Sequence, residues 1–159
     1  MENFRIEMRY AVLISLLMLL WLSLEYMIGI QDKFIQWQPY VNLLSFVVLP
    51  SICIRLALRD KLDQDDKKSA FKDIFLVGFL VSFFAAVLSI IVQLVFFKLI
   101  NPDFFDAMIE YQTGMGKLHH EEAHLYFNLA ATIIRAGFLT LLLGTIASAI
   151  WAARLRNDN

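Results

Sequence analysis

Apolar residues fall in long uninterrupted runs, and the charges collect in short islands between them. The runs cover 10–24, extended past Glu25 to 30, then 37–54, 74–97 and 136–153 with an apolar lead-in from 125. A helix rises about 1.5 Å per residue, so roughly 20 residues cross a hydrocarbon core of about 30 Å. None of the runs alternates with period two, as a transmembrane strand would. The pattern predicts an all-α membrane protein in one domain over 1–159, with four transmembrane helices near 10–30, 37–57, 74–97 and 129–153.

Composition agrees. Of 159 residues, 59% are apolar and the mean hydropathy is +0.62, against roughly 45–50% apolar in soluble domains. Fourteen Lys and Arg against fifteen Asp and Glu leave −1, which gives nucleic acid no electrostatic reason to bind. Arg5 and Arg9 before the first run resemble a signal-peptide start, but Leu22 to Met27 is too bulky for a cleavage site, so an uncleaved first span is expected.

The basic residues also predict orientation. Arg5, Arg9, Arg55, Arg59, Lys61, Lys67, Lys68, Lys72, Arg154 and Arg156 flank one side, and only Lys33, Lys98 and Lys117 the other. Both termini are therefore expected in the cytoplasm, with Tyr10 and Trp151 as inner-interface anchors and Tyr26, Trp37 and Tyr40 as outer ones. Cys53 is the single cysteine, so neither an intrachain disulfide nor a cysteine-based metal site can form. Pro50 lies within the second span and is expected to kink it, for packing or for gating.

Small residues recur at every fourth position of the last span: Ala136, Thr140, Gly144, Ser148 and Ala152. The third span carries Gly78, Ser82 and Ala86, then Ser89 and Gln93. Such stripes let helix backbones approach closely. The favoured expectation is third-against-fourth packing within one subunit; a homo-oligomer or a sliding seam is the alternative. In the connection before the last span, Asn101-Pro102-Asp103 reads as a helix start, and Phe104, Phe105, Met108 and Ile109 share one face. A short amphipathic helix on the outer interface is expected there.

The order of these elements resembles the bacterial membrane family called domain of unknown function 4199. The resemblance runs over residues 8–156, and its most specific pieces are Ser69-Ala70-Phe71-Lys72-Asp73 leading into Gly78, and Ile100-Asn101-Pro102-Asp103-Phe104. It implies a four-helix protein of the bacterial inner membrane and supplies no catalytic residue.

Three features bear on chemistry. His120-Glu121-Glu122-Ala123-His124 fits the H-E-x-x-H zinc-protease pattern, in which two imidazoles one turn apart hold the metal. A third ligand is missing, because only Asp158 follows among the usual ligand types. A solvated helix lead-in is the favoured reading, with a metal site at His120 and His124 as the alternative. Glu25 and Arg135 are ionisable groups within or bordering apolar runs, where an unpaired charge costs on the order of 3 kcal/mol. Either they pair, tying the first helix to the fourth, or each snorkels to the headgroups. Glu25 also admits a small proton- or ion-coupled transporter.

The leading expectation is a non-enzymatic structural or accessory component without a cofactor. Its partners would be the bilayer and a second copy or another membrane protein.

Overall fold

A computed structural model of the chain describes residues 4–65 and 70–157. Lys67, Lys68 and Ser69, used above for orientation and for the family motif, and Asp158 lie outside the described residues.

The first apolar run forms α1 (Arg5–Ile28), which stops at Gly29 in the left-handed conformation. A short 3₁₀ turn (Ile35–Trp37) leads into α2 (Gln38–Gln64), where a proline in the first turn suits the fixed φ of a helix start. α2 continues as one helix through the buried Pro50. Next comes α3 (Phe71–Val95), whose last turn widens into a π-helical segment, Phe96–Ile100. Two short helices follow, α4 (Phe104–Gly114) and α5 (His120–Tyr126), and then α6 (Leu129–Asn157). The described residues are otherwise turns and links, with no strand.

Four helical stretches are long and apolar enough to cross a membrane: Arg5–Ile28, Ile35–Gln64, Phe71–Ile100 and Leu129–Arg156. No more than 39% of the most apolar window of any of them is buried. Leu16, Leu20, Ile52, Ile91, Phe138 and Ile150 all point outward. A soluble fold would turn such a surface inward, whereas acyl chains solvate it. The chain is built as a multi-pass helical membrane protein.

The four long helices alternate in direction. α2 and α3 touch each other and both contact α1 on one flank and α6 on the other, while α1 and α6 have no substantial contact. At the end carrying the N-terminus of α1, the Tyr10 hydroxyl donates to Asp60 at 2.8 Å and Arg9 lies 3.7 Å from the same carboxylate. Tyr10 is thus buried near the start of α1, where Asp60 on α2 supplies a partner for its hydroxyl. Trp151 donates to Ser51 at 2.9 Å and stacks under Arg55.

Candidate functional site

The most heavily buried ionisable side chain in the spans is Glu25, only 2% exposed, in the last turn of α1. The helix end around it explains its company. Gly29 sits at φ +85°, a backbone region that side-chain-bearing residues rarely adopt. There the N–H of Gly29 donates to the Tyr26 carbonyl at 3.0 Å and that of Ile30 to the Glu25 carbonyl at 2.9 Å. The reversal lays Gln31 back against α1. Its side-chain N–H donors reach the Glu25 carboxyl and the Leu22 carbonyl, each at 3.3 Å. Trp21, one turn before Glu25, donates its indole N–H to the other carboxyl oxygen.

The chain of contacts continues across the bundle. Asn101, just after the π-helical segment, donates its side-chain N–H to the Gln31 carbonyl oxygen at 2.9 Å. Gln31 and Asn101 are both buried. The widened turn carries the backbone into this position, with the Asn101 N–H bonding to the Phe96 carbonyl at 2.8 Å. From its place before Pro102 and Asp103, Asn101 is expected to cap the start of α4. The side chain instead bridges to Gln31, and Asp103 stands at the cap position. Glu25, Gln31 and Asn101 therefore form a polar clamp joining the α1–α2 link to the end of α3.

Arg135 has no part in it. The Glu25–Arg135 ion pair considered above is absent, because the two residues sit on the two helices kept apart on opposite flanks of the α2–α3 contact. Arg135 donates through Nη2 to the Tyr126 carbonyl at 2.9 Å and to Thr132 at 3.2 Å, and its guanidinium lies 4.1 Å from the centre of the Tyr126 ring. Depth along a helix is readable from sequence, but the identity of its neighbours is not.

At this same end the bundle opens. A cavity of about 590 Å³ lies between Leu22 of α1, the first two turns of α2, the end of α3, α4 and the start of α6. Arg135 and Ala136 line it, as do Gln38, Asn42 and Gln93.

The family model described as "Protein of unknown function (DUF4199)" matches residues 9–157, nearly the whole chain. The chain belongs to this family. No curated protein and no solved structure matches it. In this DUF4199 chain the two segments that carry the resemblance have clear structural places, Asn101 in the clamp and Gly78 in a close helix–helix approach.

That approach lies between α3 and α6. A Cβ built on Gly78 would stand 2.7 Å from Ser148 Cβ and 3.3 Å from Ile54, and one on Gly144 would stand 2.7 Å from Ser82 Cβ. Only glycine fits at either place without a shift. Further along, Gly137 faces the backbone of Ala86 and the Ser89 hydroxyl. Ala136, Thr140, Ser148 and Ala152 are buried, as is Ser82, whose hydroxyl returns to the Gly78 carbonyl at 2.8 Å. The stripe thus meets its counterpart on α3 within one chain.

The histidine cluster forms the start of α5. His119 takes the cap position, its N–H donating to Glu122 at 3.3 Å. His120 and His124 stack at 4.6 Å between ring centres, and both are exposed. Among the described residues no three His, Cys, Asp or Glu side chains converge as metal ligands. In α4, Phe104, Met108 and Ile109 are buried, and Phe104 and Phe105 pack on Phe97. The face read from sequence as apolar is turned at least partly into protein.

Proposed function

We propose that this protein is a non-enzymatic structural or accessory component of the bacterial inner membrane, with all four long helices spanning and both termini cytoplasmic. The observation that carries this reading is the clamp. Glu25, the carboxyl that a carrier mechanism would use, already accepts hydrogen bonds on both oxygens from Trp21 and Gln31, and Gln31 is held in turn by Asn101. A group that must bind and release a cation needs a water path and freedom to exchange partners. Glu25 is instead placed to fix the α1–α2 link against α3. The tight α3–α6 seam likewise favours a rigid bundle over sliding helices. On this account the partners are the bilayer and a second copy or another membrane protein, meeting the outward apolar faces.

The transporter reading keeps one supporting observation, a buried carboxyl inside a span. Proteoliposomes under an imposed pH or cation gradient separate the two. The structural reading expects wild type and Glu25→Gln to leak no faster than empty vesicles. A flux present in wild type and abolished by Glu25→Gln would establish transport.

A further inference from the structure

The cavity beside the clamp is built unlike a packing defect. Defects between apolar helices are lined by apolar atoms and leave no polar group wanting. Here Gln38 and Gln93, 8% and 4% exposed, both line the cavity, and neither side chain has a hydrogen-bond partner among the described residues. Asn42 lines it as well, and its Oδ1 atom is fully buried without a partner. Buried polar atoms are almost always satisfied, so the partnerless Asn42 Oδ1, with the unpaired amides of Gln38 and Gln93 lining the same space, points to an occupant that bonds to them.

The charges lining the cavity narrow its chemistry. They are Arg135 and Lys117, both positive, and among the described residues no acidic side chain lines the space. Arg135 uses only Nη2 in its bonds to Tyr126 and Thr132, which leaves donors on its other nitrogens. Away from these heads the walls become apolar. Along α2, Phe46 lies about two turns beyond Gln38, and along α6, Leu139 lies about one turn beyond Arg135. The volume falls within the roughly 300–1,000 Å³ of small-molecule sites.

We propose that this cavity is a binding site for an anionic amphiphile. Its carboxylate or phosphate meets Arg135 and Lys117, its adjoining polar atoms meet Gln38, Asn42 and Gln93, and its acyl chain runs between Phe46 and Leu139. A free fatty acid and an anionic membrane phospholipid share this chemistry.

The test uses full-length protein, delipidated in neutral detergent and titrated with oleate or dioleoyl-phosphatidylglycerol. Oleyl alcohol and dioleoyl-phosphatidylcholine serve as uncharged-headed or zwitterionic counterparts. Native mass spectrometry reads stoichiometry, and thermal unfolding reads affinity. One anionic amphiphile per chain is expected, binding at least about tenfold more tightly than its counterpart, as for one charge-assisted hydrogen bond. Lys117→Gln and Arg135→Gln should each weaken it, and Leu139→Trp, which fills the cavity, should abolish it. Retention of oleate alone assigns a free acid as occupant, retention of the phospholipid alone a membrane lipid, and retention of both the shared class. The proposal is overturned if the counterparts bind as well as the anions, or if Leu139→Trp binds undiminished while remaining folded.

Discussion

Replacing Glu25 with alanine takes the acceptor from two donors at once. Trp21 loses the one side-chain hydrogen bond it makes among the described residues, whereas Gln31 keeps the Leu22 carbonyl and Asn101. Leaving a buried donor without its acceptor costs about 1–3 kcal/mol. The net expectation is a loss of about 2 kcal/mol, with Glu25→Gln losing about half as much because one acceptor remains. Asn101→Ala should cost about 1–3 kcal/mol, since it leaves the buried Gln31 carbonyl oxygen unbonded. Because Gln31 connects the two, a Glu25–Asn101 double-mutant cycle should show coupling above about 0.5 kcal/mol. A cycle on Glu25 and Arg135 should be additive to within about 0.5 kcal/mol. Unfolding in detergent micelles, followed by circular dichroism across both cycles, measures these quantities. Strong coupling of Glu25 to Arg135 with none to Asn101 would refute the clamp.

Gly78→Ala should destabilise the bundle by about 1–3 kcal/mol through overpacking, and Ser148→Gly in the same chain should recover much of it, as thermal unfolding of the four variants would read. Gly29→Ala should cost about 1–2 kcal/mol, because a Cβ there meets no clash but the left-handed backbone disfavours it. His120→Ala and His124→Ala should leave the zinc content of purified protein unchanged from wild type by elemental analysis, since among the described residues no third ligand lies beside the exposed pair.

What could be read in the sequence follows from what is local. Span positions depend on summed hydropathy, so the run at 74–97 falls inside the helical stretch Phe71–Ile100. A four-residue spacing is also local, which is why the stripe from Ala136 to Ser148 was visible before its contacts were. The clamp is not local: Gln31 and Asn101 are 70 residues apart, and their meeting needs both the Gly29 reversal and the widened turn after Val95. The Glu25–Arg135 pairing failed for the same reason, because hydropathy fixes depth without saying which helices are neighbours. The cavity was hidden because it arises where helices separate. A usable signal did exist in the amides Gln31, Gln38, Asn42, Gln93 and Asn101, all near the same ends of their spans.

The central claim is that Glu25 is locked away as a structural group, and the indole protons report on it directly. Trp21 donates to Glu25 and Trp151 to Ser51, while Trp37 is 58% exposed and has no hydrogen-bond partner for its indole among the described residues. Hydrogen–deuterium exchange of the three indole N–H groups, followed by nuclear magnetic resonance in lipid nanodiscs, compares them within one sample. The account predicts slow exchange at Trp21 and Trp151 and fast exchange at Trp37, with Trp21 losing its protection in Glu25→Ala. Exchange at Trp21 as fast as at Trp37 in the wild-type protein would mean that water reaches the carboxyl, and would contradict the account.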